Sequence, residues 1–151
     1  MRKNLKTYRR ITKLPFGQHL FTFIVCRMAP YFSSIKPLVT DLKPGYSSVS
    51  IKKRRRVQNH IKTVHAIAMC NMAELAAGMM TDVSVPIKSR WLPTGMSVQY
   101  LKKAKTDLVA VADGGNIDWD TDGDKLVPVS VTDTEGNIVF SAEITMNVRF
   151  T

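Results

Sequence analysis

The stretch that decides the fold is residues 64–80, which read VHAIAMCNMAELAAGMM. It is rich in Ala, Met and Leu, which favour helices, and it predicts one long helix. Its apolar residues fall on nearly every side of that helix rather than along a single stripe. A helix of this kind is buried, so the rest of the chain is expected to wrap around it.

The segments on both sides of this helix predict β-strands. Upstream, strands are expected over 37–43 and from Tyr46 onward, the second continuing into the basic block 52–56. A hairpin turn is expected at 133–137. Downstream strands are expected over residues 90–103, 106–112, 125–132 and 138–149. One long helix against an antiparallel sheet is an α+β layout.

The N-terminal residues differ from this pattern. They predict two helices, over 4–14 and 18–28, and the second has an apolar face. The members of that face are Leu20, Phe21, Ile24 and Met28. We therefore divide the chain into a helical arm, 1–33, and one domain, 34–151, a length that suits a single core.

The charge is strongly basic and unevenly distributed. The net charge is +10, and the first acidic residue is Asp41. Such a balance indicates an anionic partner: nucleic acid, a membrane surface or a phosphate-bearing small molecule. Two cysteines, Cys26 and Cys70, are too few for a disulfide scaffold and favour a reducing, cytoplasmic location. No run approaches the roughly 18–20 apolar residues of a membrane span, and no signal peptide is expected.

The predicted central helix carries one acid, Glu74. Burying a carboxylate costs several kcal/mol unless it is paired, so such an acid has either a structural partner or a chemical role. Cys70 and Asn71 lie four and three residues earlier and are expected to share its face. Glu74 is therefore a candidate general base or nucleophile; a structural acid paired to a lysine or arginine is the alternative.

The start of this helix is a candidate site for a developing oxyanion. Thr63 is the expected N-cap, which places His65 and Ala66 in the first turn, where backbone N–H groups lack intrahelical acceptors. Ala66 and Glu74 are separated by about 12 Å of axial rise. Glu74 is therefore expected to serve a substrate held at the helix start of a partner subunit.

The segment NHIKTVHA, residues 59–66, followed by Glu74, resembles the signature of hotdog-fold thioesterases. The resemblance is to the phenylacetate-pathway and hydroxybenzoyl-CoA branches, and closest to a subfamily with a TVHA helix start; it covers about 33–150. It implies a long central helix wrapped by an antiparallel sheet and a homodimer or homotetramer with active sites between subunits. It implies hydrolysis of acyl-CoA thioesters.

The resemblance also implies roles for individual residues. Ala66 supplies the amide that polarises the thioester carbonyl, Glu74 the carboxylate, and Asn59 a polar contact that orients water or substrate. His65 is either catalytic or structural. Ala66 and Ile67 stand where the family often has Gly, which narrows the space beside the thioester. A non-catalytic protein that binds acyl groups or CoA esters is therefore the alternative.

Coenzyme A is here part of the substrate, and no separate cofactor is expected. Its phosphates require basic residues near the mouth of the site. The candidates flank the helix in sequence and are Arg54, Arg56, Lys88 and Arg90. A solvated basic sheet edge is the alternative for these residues.

The sequence bears on three other binding partners: calcium, nucleic acid and a membrane surface. The acidic segment 118–123 resembles the start of a calcium loop, but the twelfth position is Val129 instead of Glu, so no metal is expected. The basic run 52–56 lacks interleaved aromatic residues, so no nucleic acid is expected. The arm is a candidate to cap an acyl tunnel shaped by methionines, or to contact an anionic membrane. The residues expected to insert are Phe16, Leu20, Phe21 and Phe23.

Overall fold

The structure is a computed structural model that describes residues 2–151. Over these residues it contains three α helices and one six-stranded sheet. The helices are α1 (Lys3–Ile11), α2 (Gly17–Met28) and α3 (Ala66–Ser84), with short 3-10 helices at Pro30–Ile35 and Arg55–Val57. The strands are β1 (Leu38–Lys43), β2 (Tyr46–Ile51), β3 (Ser89–Tyr100), β4 (Leu108–Asp113), β5 (Gly123–Thr132) and β6 (Ile138–Phe150).

The sheet is antiparallel throughout and has the order β1-β2-β4-β5-β6-β3. It curves around α3, which packs against all six strands. Strand β5 shows how the sequence sets this geometry, because Val127, Val129 and Val131 are buried at every second position. The expected α+β layout, with a long central helix wrapped by an antiparallel sheet, is confirmed.

One face of α3 departs from the expected burial on all sides. Met72 and Ala76 on the sheet side are fully buried. Ile67 is 55% exposed, and Glu74 and Gly78 are only partly buried. These three positions recur at helical spacing and form one open stripe along the helix.

The basic block 52–56 is not a strand, contrary to the sequence-based expectation. Strand β2 ends at Ile51, and the Asp107 carboxylate accepts hydrogen bonds from Lys52 Nζ at 2.9 Å and from Lys53 N at 2.8 Å. The chain then enters the 3-10 helix Arg55–Val57. The four strands expected after α3 are present, and so is the hairpin turn, with Gly136 at φ +82°.

The arm packs against the domain through one side of each helix. The rings of Tyr8 and Phe21 meet edge to face at 5.0 Å, and both are buried. Thr22 Oγ1 accepts a hydrogen bond from Val39 N at 2.9 Å, which ties α2 to β1. The apolar face predicted for α2 is therefore only partly correct. Leu20 and Met28 are exposed, because the domain covers only the Phe21 side of the helix.

Strand β3 forms an edge of the sheet. Among residues 2–151 it pairs only with β6, so its outer row of backbone N–H and C=O groups is unpaired. It is 12 residues long and exposes apolar side chains such as Leu92. A long open edge of this kind is a template for pairing with another strand. No helix within residues 2–151 meets the length and hydrophobicity needed to cross a membrane.

Candidate active site

The start of α3 is capped by His65, not by Thr63 as the sequence suggested. His65 has extended backbone angles, and its Nδ1 accepts a hydrogen bond from Ile67 N at 3.1 Å. Its carbonyl accepts from Ala68 N at 2.9 Å. Within the described part of the chain, the Ala66 N–H has no acceptor. This free amide lies at the positive end of the helix dipole, where a negatively charged oxygen is stabilised.

Thr63 instead belongs to the loop that leads into the helix. Asn59 Nδ2 donates to Thr63 Oγ1 at 2.8 Å, and Asn59 Oδ1 accepts from the backbone N–H groups of Ile61 and Thr63, each at 3.1 Å. Lys62 adopts a left-handed conformation, with φ +62°. In this structure the Asn59 side chain therefore closes the loop that holds the helix start in place.

We expect His65→Ala to lower the free energy of unfolding by about 1 kcal/mol, because it removes the N-cap acceptor. His65→Asn is the matched control, since Asn is a strong N-cap residue and should retain most of that stability. Chemical denaturation of the two variants and the wild type measures the difference. Equal stability of His65→Ala and the wild type would contradict the assigned cap.

Glu74 lies half-buried on the open stripe of α3. Together with Asn71 and residues 29–32 it lines a hollow of about 300 Å³, here called the Glu74 hollow. Tyr31 and Phe32 of the 3-10 helix form its opposite wall. Among residues 2–151, no lysine or arginine forms an ion pair with Glu74, and its carboxylate has no hydrogen-bond donor. The alternative of a structural acid with a basic partner therefore finds no support within this subunit.

Asn71 and Cys70, which were expected to share the face of Glu74, lie on its two sides, three and four residues earlier on α3. The Asn71 side chain is buried, its Nδ2 donates to Ser34 Oγ at 3.3 Å, and its Oδ1 has no partner within residues 2–151. Cys70 lies on the flank of this face nearer to β3, where its Sγ is 4.0 Å from the Tyr100 hydroxyl. Burial raises the pKa of the Cys70 thiol, and the Glu74 charge acts in the same direction. The thiol is thus a poor nucleophile at neutral pH.

Cys70→Ser is therefore expected to retain at least about half of any thioester turnover, because the reactive species of a cysteine nucleophile is the thiolate. Steady-state assays of the variant and the wild type check this. A loss of a hundredfold or more, in a variant that melts like the wild type, would assign the chemistry to Cys70 instead of Glu74.

A second hollow lies next to the first, toward the helix start. This Arg56 hollow has a volume of about 350 Å³ and is lined by Arg56, His65 and Ile67, among others. It shares Tyr31 and Asn71 with the Glu74 hollow, so the two are adjacent along α3. The structure thereby places one predicted phosphate contact, Arg56, on the same side of the helix as Glu74.

Ala66 faces a third hollow, on the other side of the helix start. The Ala66 hollow has a volume of about 380 Å³, and its walls include Asn59, Ala66 and the end of β3 at Tyr100. Lys102 and Lys103 also line it. The sequence did not single out these two lysines, because a long-range bond, from Val64 N to Ala104 O at 2.8 Å, holds their segment beside the helix start. Within one subunit, Glu74 and Ala66 therefore belong to separate hollows.

The other predicted phosphate contacts lie in two different regions. Arg54 donates from Nη2 to Ser34 O at 2.8 Å and is half-buried. Lys88 and Arg90 are exposed beyond the carboxyl end of α3. They follow α3, whose 19 residues span about 28 Å, whereas Arg54 and Arg56 precede it. A single subunit does not bring the four residues together.

In the calcium-like segment 118–123, two of the carboxylates accept hydrogen bonds from protein groups. Asp118 accepts hydrogen bonds from Asp120 N and Thr121 Oγ1, and Asp122 accepts from Phe150 N at 2.7 Å. Across residues 2–151, no group of three or more His, Cys, Asp and Glu side chains is placed to hold a metal ion.

Comparison with known proteins places this geometry in a family. The family described as a domain of unknown function, DUF4442, matches residues 17–148. A crystal structure described only as a genomics target is 47% identical, with a TM-score of 0.89, covering 98% of this chain and 99% of that one. No curated protein matches the chain.

More distant solved structures share the fold. A Pseudomonas aeruginosa protein of unknown function, described as a probable thioesterase, is 19% identical with a TM-score of 0.75, covering 91% of this chain and 97% of that one. A thioesterase from Haemophilus influenzae is 10% identical with a TM-score of 0.71, covering 80% and 82%. The chain therefore belongs to the DUF4442 family and has the hotdog fold of the thioesterase superfamily.

Proposed function

We propose that this protein hydrolyses acyl-CoA thioesters at a site shared between two subunits. The observation that carries the proposal is Glu74, a half-buried carboxylate without a basic partner in its own subunit, facing a hollow lined by aromatic side chains. Hydrolysis also requires a hydrogen-bond donor for the carbonyl oxygen of the thioester, and the free Ala66 N–H is such a donor.

The reaction needs one base and one oxyanion donor. Glu74 accepts a proton from a water molecule, and the water oxygen attacks the thioester carbonyl carbon. The carbonyl oxygen becomes negative and is stabilised by the Ala66 N–H at the helix start of the partner subunit. When the tetrahedral intermediate collapses, the C–S bond breaks and the CoA sulfur takes the proton from Glu74. The products are a carboxylic acid and free CoA thiol.

A two-fold dimer through β3 would unite these groups. The outer edge of β3 is unpaired, and antiparallel pairing with β3 of a second copy would extend the sheet and place the two α3 helices side by side. Glu74 of one subunit would then approach Ala66 of the other. A dimer of such dimers would give a tetramer.

Arg56 is the best placed of the predicted CoA contacts, because it lines a hollow adjacent to that of Glu74. Lys102 and Lys103 are candidates from the other subunit, since they line the hollow of Ala66. Guanidinium and ammonium groups are suited to the pyrophosphate and the 3′-phosphate of CoA. Arg54, Lys88 and Arg90 remain predictions for this role.

The second candidate function is binding of acyl-CoA without hydrolysis, favoured by Ala66 and Ile67. Ile67 is exposed beside the helix start and narrows the approach to it. Incubation of the purified protein with a panel of acyl-CoA esters separates the two functions. Release of free thiol supports hydrolysis, and tight binding without release supports the binding protein.

Contact with an anionic membrane surface, in a cytoplasmic setting, remains a prediction for the arm. Phe16 and Phe23 are 82% and 65% exposed, and Leu20 lies between them on the same side of α2. The structure corrects one member of the expected set, because Phe21 is buried against the domain. Interaction with nucleic acid is still not expected.

A further inference from the structure

An apolar cavity of about 220 Å³ lies between the arm and α3, here called the arm cavity. Its walls come from α1, α2 and the 3-10 helix Pro30–Ile35 on one side, and from α3 and β3 on the other. The main lining side chains are Ile24, Val25, Met28, Leu75, Met79 and Trp91. Most of its lining is apolar, as in sites that bind apolar ligands.

One feature leaves space in the arm cavity, and another closes one of its ends. Gly78 lies on the α3 wall, where an added Cβ would stand 3.1 Å from the Trp91 ring. The end of the cavity away from Glu74 is closed by Asp82, which accepts hydrogen bonds from Asn4 Nδ2 at 2.7 Å and from Trp91 Nε1 at 3.3 Å. Asp82 thus ties α1 to β3 across the cavity and fixes the arm in place.

The arm cavity is adjacent to the Glu74 hollow. Ala29 and Phe32 line both spaces. Gly78 follows Glu74 by one helical turn, about 6 Å along the axis. An acyl group whose carbonyl lies beside Glu74 can therefore extend along α3 and under the arm, away from Arg56 and the predicted phosphate contacts.

We propose that the arm cavity receives the acyl chain of the thioester, and that Ile24 and Val25 set the longest chain that fits. This inference rests on the proposed thioester hydrolysis and names its substrate class. At 220 Å³ the cavity is larger than an apolar cavity of about 150 Å³ that holds benzene, and smaller than a typical drug-sized site. The substrate class is thus a medium-length, apolar acyl-CoA.

Binding of S-alkyl-CoA thioethers tests the inference without requiring turnover, because a thioether has no carbonyl to attack. A series from methyl to dodecyl is titrated into the full-length wild type by calorimetry. We expect Kd to fall about fourfold for each added methylene until the cavity is full, and then to level off. Affinity that does not depend on chain length would overturn the inference.

Substitutions in the arm cavity test whether the alkyl chain of the ligand binds there. Val25→Phe fills the cavity, and Met28→Trp fills it from the exposed rim, where a larger ring is readily accommodated. Each is expected to weaken octyl-CoA binding about tenfold or more, the loss of two buried methylenes, and to leave methyl-CoA binding unchanged. Phe23→Trp is the matched control, because Phe23 lies on α2 but outside the cavity.

The outcomes separate this inference from the proposed function. If all variants bind the series as the wild type does, the acyl chain lies elsewhere and the inference is wrong. If the thioethers bind as expected but no ester is cleaved, hydrolysis is wrong and the cavity assignment stands. If esters are cleaved with no preference for chain length in wild type or variants, hydrolysis stands and the cavity assignment is wrong.

Discussion

Glu74→Gln is expected to lower thioester turnover at least about a hundredfold while leaving the fold intact. Gln has nearly the shape of Glu, but its amide cannot take a proton from water. The fold should survive because Glu74 has no basic partner among residues 2–151, so its neutralisation leaves no cation unpaired. The measurement is kcat on a cleaved acyl-CoA, together with a thermal melt of the same preparation.

Glu143→Gln is the matched control for this experiment. Glu143 is exposed on β6 and lines none of the hollows described above, so its neutralisation should leave kcat unchanged. A folded Glu74→Gln protein with the turnover of the wild type would place proton transfer on another residue.

Mixing two inactive variants is expected to restore activity, because each site draws on both subunits. Ala66→Trp blocks the helix start, and Glu74→Gln removes the base. A heterodimer of the two has one site with both lesions and one with neither. Random exchange makes half of the dimers heterodimers, so the mixture should recover about a quarter of the wild-type activity.

As a control, each variant is taken through the same exchange procedure alone, and it should remain inactive. Light scattering of the same samples should show a dimer or tetramer. An active monomer, or a mixture that stays inactive although mass spectrometry shows heterodimers, would contradict the shared site. In that case Ala66 and Glu74 would not act on one substrate.

The elements of the fold were predictable because their signals are local. The long helix follows from the Ala- and Met-rich run 64–80, and the strands after it follow from alternation, which β5 shows most clearly. The predicted end of β2 was wrong because the contact that ends this strand is not local. Asp107, which turns the chain at Lys52 and Lys53, is more than fifty residues away in sequence.

The candidate site was predictable only in part. Glu74 and Ala66 stand out from the sequence, because one is an acid in an apolar helix and the other is a small residue at a helix start. The cap was predicted wrongly, because Thr is a common N-cap residue and only the extended backbone angles of His65 and its bond to Ile67 N assign the cap to His65. Tyr31 and Phe32, which face Glu74, are more than forty residues from it and carry no local signal.

The most direct test of the account is release of free CoA thiol from a panel of acyl-CoA esters, short to long, by the purified wild-type protein. We predict Glu74-dependent thiol release, highest for medium-length apolar acyl groups and at background level with Glu74→Gln. A folded, oligomeric wild-type protein that binds CoA esters and releases no thiol from any of them would contradict the account.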